Sequence, residues 1–585
     1  MKNKTLYQRI ELRQKSMIDD PQRVEFDDRN REIIEYCRPD LAPYLDERRV
    51  KGQKRTSKMY TSKVTTDLET AADAFVGNVF LPEGWFGYSL FGEENDVDEN
   101  QAWMQSVEKH FSQVYIDQGF YDTLPPIVMD KLSIGEGLLF IGEQDVEDLR
   151  TELDKDSDKE RRRVANIAKE EAGEEPLEDR TETVAYFEYV EFMSTWWTRD
   201  RYNRLDCVHN KFDIKAWEAF ERWGEKCSAA IIKNAEDDPL KTHWFIHSIY
   251  KKTDPILKGI KLEKDRPFVE FYTEEKTQID QNDMMDGILE QSGYKHMPFV
   301  DWPHWLKSGE SIGRGPLGTA ITTVKRLHSM HKDNMLASQR RGDPPLKVSA
   351  TLKGRMNLRA GGKTYLKNTG EDLTEVYRGT GYAESIDYME RTEKEIEEVL
   401  GLPFFLSLLG ETKRMTIPEL MERIGERAAA MAPRLGLGER IFLSAVHQRL
   451  WDIEEKNGRI PPAPSALQEL IATSESSIIL RVRYKGPLSL AQEQLFTQRK
   501  ILGTLSLVQA VAPYDPQAAA DKIDVATATE HILDEGGFYQ DSIRTDEEVA
   551  EIAEARNDLV AQQAQVEQDK TDSETAKNLS QVQQE

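Results

Sequence analysis

The sequence predicts an α+β chain, mainly helical. Three observations carry that reading. Apolar residues recur at i, i+3 and i+4 over several long segments, the period of one buried helix face. Short β-branched and aromatic runs at 137–142, 184–198, 242–250 and 267–273 have the length and composition of strands. Gly/Pro clusters such as Gly342-Asp343-Pro344-Pro345 and the RIPPAP run at 459–464 punctuate the pattern at places where a helix must stop.

Taken in order, residues 1–60 read as charged helix with a break at Arg38-Pro39. Leu68, Ala71, Ala72, Phe75, Val76 and Val79 define the next helix, which Pro82 and Gly84 end before an extended segment opens at Trp85-Phe86. Further helices are expected over 101–118 and from 123, the latter leading into the strand at 137–142. Residues 143–183 carry dense mixed charge and few large apolar side chains, so they read as a solvated insertion. The strand-like runs make 184–273 a mixed α/β region.

From Pro316 the pattern becomes strongly helical. Leu317, Ala320, Ile321, Val324, Leu327, His331 and Met335 form one stripe, and a proline suits the first helical position. Residues 342–382 read as short strands and turns, and 383–400 as an acidic helix. A Gly/Pro-bounded loop follows at 401–415. The next helix opens with a capping box, Thr416 with Glu419, and should kink at Pro433, Gly436 and Gly438. A strand is expected at 478–484, and the tail from about 546 reads as frayed helix or disorder.

The chain has 585 residues and a net charge of −27. Its mean hydropathy of −0.64 suits an extended or ring-forming protein with much solvated surface. Net negative charge argues against coating nucleic acid non-specifically. Cys37, Cys207 and Cys227 are dispersed, which points to reduced core thiols and away from structural zinc. No run of about 18 apolar residues occurs, so neither a signal peptide nor a membrane span is expected.

Against this acidic background, Arg340 to Lys367 holds eight Lys/Arg (Arg340, Arg341, Lys347, Lys353, Arg355, Arg359, Lys363, Lys367) and one acid, Asp343. Two readings are open: a solvated basic face paired with acidic neighbours, or a contact surface for a polyanion or partner. Lys413 and Arg414, in the loop between two helices, carry the same ambiguity.

Other motifs dissolve on inspection. Ala360–Thr364 reads AGGKT, but Asn357 stands where a P-loop needs its first glycine, and the context is a turn between strands. Gly135-Glu136-Gly137 lacks the third glycine of a dinucleotide fingerprint and precedes a strand. His304, His328 and His331 lack a third ligand at suitable spacing and read as core or surface histidines. No catalytic residue, cofactor or metal site is expected.

Four segments, in order, resemble the head-to-tail connector (portal) proteins of short-tailed bacteriophages. They are TTDLETAADAFVGNVFLPEGWF at 65–86, LSIGEGLLFIGE at 132–143, the stretch GYKHMPFVDWPHWLKSGESIGRGPLGTAITTVKRLHSMHK at 293–332, and ETKRMTIPELMERIGE at 411–426. The resemblance spans about 60–535. It departs from the family pattern at Ile312, where an aromatic is usual, and at Ile417-Pro418, where an alanine-containing version is usual.

The resemblance implies a portal fold: an α/β wing over 1–313, a stem of helices 314–341 and 383–401, a small α/β clip over 342–382 and a tunnel loop over 402–415. A kinked helix over 416–457 would lead to a helical crown at 458–545, with the tail at 546–585. It further implies a homo-oligomer, a dodecameric ring at one capsid vertex, found in the virion and in host cytoplasm during assembly. Double-stranded DNA would pass through it during packaging and ejection. Terminase large subunit, major capsid protein, scaffold and head–tail adaptors would be its partners, with no membrane and no catalysis of its own. On that template Glu411, Thr412, Lys413 and Arg414 line the tunnel loop. Lys347, Lys353, Arg355, Arg359, Lys363 and Lys367 form a docking surface for terminase or an adaptor. The competing readings are another phage structural protein, such as a tail adaptor or scaffold, and a nucleotide-binding enzyme using AGGKT.

Overall fold

The computed structural model describes residues 4–45, 58–80, 85–90, 97–145, 183–262, 265–275, 285–307, 309–342, 346–347, 374–375, 382–403, 438–465, 467–468 and 481–484. The chain opens with helices α1 (Leu6–Ile18) and α2 (Pro21–Cys37). Asp20 caps α2 by accepting from the Gln22 amide, with Pro21 at its first position. The helix stops at Arg38, where the following Pro39 disfavours helical backbone. Helix α3 (Lys63–Val79) ends just before the Pro82 read from sequence, and strand β1 (Phe86–Ser89) follows.

Helices α4 (Asp98–Asp117) and α5 (Phe120–Ser133) lead into β2 (Glu136–Asp145). Helix α5 begins three residues earlier than expected. Gly119, at φ 70°, makes the turn between the two helices, and α5 carries Pro125 and Pro126 within it. The run expected as one strand at 184–198 is two, β3 (Thr183–Tyr189) and β4 (Thr195–Arg199), broken by a 3-10 turn at Phe192–Ser194. That turn lets the chain leave one sheet and enter another.

Those sheets are antiparallel. β3, β2 and β9 (Phe299–Pro303) form one, with β2 in the middle. β4, β5 (Leu205–Lys215), β6 (Thr242–Lys251), β7 (Phe268–Glu274) and β8 (Ile288–Tyr294) form the other in simple sequential order. Helices α6 (Ala216–Trp223) and α7 (Ala229–Asp237) fill the β5–β6 connection and pack Trp223 and Ile231 against Phe245 and Tyr272. The β5 sequence does not announce a strand, because Asp, His, Asn and Lys interrupt its apolar residues.

Helix α8 (Pro316–Gly342) and helix α9 (Tyr382–Leu400) form a hairpin. Between them, β10 (Leu346–Lys347) pairs antiparallel with β11 (Thr374–Glu375). Directly after Gly438 a π-helical turn (Glu439–Leu443) feeds helix α10 (Ser444–Lys456). A Cβ on Gly438 would come within 2.6 Å of Trp302 Nε1, so this glycine serves close packing. The kinks expected at Pro433 and Gly436 lie outside the described residues, as do the 146–182 part of the insertion and the tail. Strand β12 (Arg481–Tyr484) returns to pair with β1 almost four hundred residues away.

One large core joins α3, α4, α5, β1, β2, α8, α9 and α10, with Trp85, Phe86, Tyr115 and Phe120 at its aromatic centre. Trp302 stacks on Phe442 at 4.5 Å, tying β9 to the π turn. Cys37, Cys207 and Cys227 are buried and unbridged, as the core-thiol reading requires; burial pushes the Cys37 thiol up to about 12.

At the break after α2, Arg38 is 2% exposed and reaches Asp130 Oδ1 of α5 at 2.7 Å and Ser133 Oγ at 3.0 Å. The Tyr189 hydroxyl of β3 donates to Asp130 Oδ2 at 2.7 Å, and Asp40 takes the other side of the guanidinium. Burial works against the Arg38 charge, but Asp130 and Asp40 outweigh it and hold the pKa up. At Asp130 burial wins over the pull of Arg38, and its pKa is raised. Removing the Asp130 carboxylate leaves the buried side of the guanidinium without its counter-charge, with only the half-exposed Asp40 remaining. Asp130→Ala is expected to lower stability by about 3–5 kcal/mol, against about 1 kcal/mol for Tyr189→Phe. Urea unfolding of the two variants checks the ranking; equal losses would mean the charge pair is not the anchor.

Candidate functional site

The candidate site is the α8–α9 hairpin and the basic segment that the sequence places between its two helices. Helix α8 forms because Pro316 presets the first helical φ and because Leu317, Ala320, Val324 and Leu327 bury one face. That face meets Ile396 and Leu400 of α9 within the main core, together with Ile33 of α2 and Leu68 of α3. Beyond Leu327 the stripe read from sequence departs from the structure. His331 is only half-buried, and Met335 is 47% exposed. The inward residue there is His328. Its Nδ1 accepts from the Tyr60 amide at 3.1 Å, so Nε2 carries the proton and donates to Tyr36 O at 2.9 Å. Burial lowers its pKa. His328 is thus a satisfied core histidine.

The two helices divide their charge. Helix α8 carries five Lys/Arg and one Asp, whereas α9 carries seven carboxylates and two Lys/Arg. Arg326 pairs with Glu395 at 2.7 Å, and His331 Nε2 lies 3.3 Å from Glu393. Asn334 bonds Ser385 and the Met389 sulfur farther out. Lys63 of α3 reaches Glu397 at 2.5 Å and Asp67 at 2.6 Å, and Lys325 reaches Glu32 of α2 at 2.7 Å. Such half-exposed pairs contribute about 0.2–1 kcal/mol each, so apolar packing holds the hairpin while the charges set its register. Toward its outer end Met335, Leu336 and Tyr388 expose apolar surface.

The base of α8 is fixed more firmly. Residues 311–315 form a strap that crosses the start of β2. A Cβ on Gly313 would lie 2.3 Å from Gly135 O, and one on Gly135 the same distance from Gly315 N. Gly135 also has φ +109°, a conformation other residues avoid. Beneath the strap, Arg199 of β4 spans Glu136 and Asp301, each at 2.6 Å. All three side chains are nearly fully buried. The Gly313 amide donates to Glu136 Oε2 at 2.5 Å, and Arg199 Nε donates to Ser311 O at 2.8 Å. Burial first, then the neighbouring Asp301, raises the Glu136 pKa, although Arg199 opposes this. Gly135-Glu136-Gly137 fails as a dinucleotide fingerprint and belongs instead to one of the four segments that carry the family resemblance. The usable signal was a second glycine-flanked pattern, Gly313-Arg314-Gly315, which packs against it.

Of the residues expected to act, Lys347 sits on β10, opposite Thr374 of β11. The backbone pairing there joins the two sides of the connection between α8 and α9. Lys353, Arg355, Arg359, Lys363 and Lys367 lie outside the described residues, as do AGGKT and the loop residues Glu411, Thr412, Lys413 and Arg414. Arg340 and Arg341 belong to the last turn of α8.

Elsewhere, a cleft of about 530 Å³ lies between β2, β3, β7, β8 and α10. Its acids and bases largely neutralise one another. Arg449 and Lys456 hold Glu143 at 2.7 and 2.6 Å, Lys295 holds Asp452 at 3.3 Å, and Arg222 holds Glu290 at 3.0 Å. Such a lining selects no ligand charge. Among the described residues, no group of three His, Cys, Asp or Glu could hold a metal ion, and no helix is long and apolar enough to cross a membrane.

Comparison with known proteins supplies the family. The family model for bacteriophage head to tail connecting protein matches residues 11–154 and 172–543. A portal protein of Salmonella phage epsilon15 is 25% identical over 290 residues, which is 48% of this chain and 50% of that protein. The chain thus spans about half the length of the curated relative it matches. Because the family match covers the strap, the hairpin, the basic segment and β12 together, the chain belongs to the bacteriophage head to tail connecting protein family.

Proposed function

We propose that the chain is the subunit of a portal ring, through which double-stranded DNA enters the capsid and later leaves. The observation that carries this reading is the hairpin. Two core-anchored helices flank the basic segment in the sequence, and β10 and β11 pair within the connection between them, in a chain of the connector family. A rigid stem with a charged tip is what a docking spout needs. The basic tip, including Lys347, would meet an acidic face of the terminase large subunit during packaging and of a head–tail adaptor afterwards, with complementary charge speeding and orienting assembly.

The rest of the chain suits a passage for DNA. Twelve copies of a −27 chain would carry −324, so most of the lumen would repel the phosphate backbone and let it slide. The Glu411–Thr412–Lys413–Arg414 loop would then supply a sparse ring of cations that touches phosphates lightly. The outer hairpin surface around Met335, Leu336 and Tyr388 would be covered by the neighbouring subunit. On this reading the subunit is structural, and the terminase supplies the energy.

Three outcomes are expected. Electron microscopy of the purified protein, alone or assembled with its scaffold, should show a closed ring with a central hole; a strictly monomeric chain under both conditions would refute the reading. Reversing Lys413 and Arg414 to Glu should impair DNA packaging or retention while rings still form, and rings that fail to form would make those residues structural. Reversing Lys353, Arg355 and Arg359 to Glu should weaken terminase or adaptor binding by about tenfold or more at low salt, with the loss shrinking as salt rises. Unchanged affinity in a pull-down titration would remove the docking assignment.

A further inference from the structure

The strap at 311–315 is the last chain before α8, and it is held by an unusual group of charges. Glu136 and Asp301 lie diagonally across the β2–β9 pair, where Glu136 is opposite Pro303 and Leu138 is opposite Asp301. Both carboxylates face the one guanidinium of Arg199, at 2.6 Å each. Side-chain exposures are 0% for Glu136, 3% for Arg199 and 6% for Asp301. Two ionised carboxylates and one cation would leave an uncompensated negative charge out of reach of water, which a protein avoids by keeping a proton.

Other charges around the group do not supply the missing cation. Arg29 of α2 is committed to Ile134 O at 3.0 Å. Arg314 on the strap is half-exposed and paired with Glu310. Arg38 at the end of α2 is bound to Asp130 and Asp40, and Asp200 beside β4 adds a further acid. Lys131 on α5 lies over the Trp302 ring at 3.8 Å, and the His304 ring is on the chain leading into the strap.

We propose that Glu136 and Asp301 share a single proton and that this proton latches the strap, and with it the base of α8, onto the sheet. With the proton present, one carboxyl donates to the other, Arg199 neutralises the remaining charge, and Glu136 keeps its bond from the Gly313 amide. Without it, two like charges repel between β2 and β9 beneath the strap, and opening the strap to water relieves them. The fold thereby carries a protonation-sensitive fastening between its α/β body and its hairpin.

The sign follows from the raised Glu136 pKa. In an opened strap, Glu136 meets water and returns to its ordinary pKa. The latch is therefore fully effective only below the ordinary carboxylate range. It weakens as pH rises toward the raised value in the closed form, and the effect levels off above it.

Hydrogen–deuterium exchange of the full chain tests this. Between pH 5.5 and 8.5, strap peptides covering 305–316 should open about tenfold or more, after correction for the intrinsic exchange rate. Peptides from β5 to β7 should not change. Asp301→Asn keeps a donor toward Glu136 and an acceptor for Arg199 while removing one charge. In that variant the strap should stay protected, with less than about a twofold change over the same range. An infrared carboxylic-acid C=O band should be present in the parent at pH 6, fade at high pH, and be lost in Asp301→Asn. A flat strap profile in the parent, the same slope in Asp301→Asn, or opening spread equally over all sheets would overturn the proposal.

Discussion

The most consequential constraint in this molecule is steric: two backbone segments cross with no room for a Cβ. Gly135 at the mouth of β2 and Gly313 and Gly315 on the strap approach so closely that any side chain would displace one of them. That crossing sets where α8 starts. It also draws Glu136, Arg199 and Asp301 from three strands into one buried group. From there the direction of α8 fixes α9 through the shared apolar face, and α9 returns the chain to α3 through Lys63 and Glu397. A small glycine junction thus aims a hairpin of 27 and 19 residues.

Charge is used in two distinct ways. On the hairpin it is half-exposed and divided between helices, so each pair adds little stability while the division favours the two helices facing each other. Inside the body it is buried and complete. Arg38 with Asp130, and Arg199 with Glu136 and Asp301, join elements that apolar contacts alone would let slide.

The helix pattern was largely legible because long amphipathic helices repeat their signal many times. The boundaries at Arg38, Val79, Gly342 and Leu400 follow from proline, glycine and periodicity. Strands were less legible. The 184–198 run looked continuous because its residues are uniformly aromatic and β-branched, and nothing local announces the turn at Phe192–Ser194 that moves the chain between sheets. Of the candidate site, the basic segment and its helical flanks could be read from composition, and the family resemblance came from ordered motifs. Met335 follows the periodicity yet is exposed, because at that level α8 turns Asn334, not Met335, toward α9.

Sequence alone determined most of the long described helices, several of their stops, that the chain is acidic with one basic island, and the family it resembles. Those are local properties, set by backbone sterics and side-chain period within a few turns. Tertiary structure decided the rest: that β12 closes on β1, that one glycine-flanked carboxylate crosses another glycine pair, and that two carboxylates share one arginine. Such pairings join residues far apart in the chain. Their energies depend on burial and on distances of a few ångströms, which no local pattern encodes.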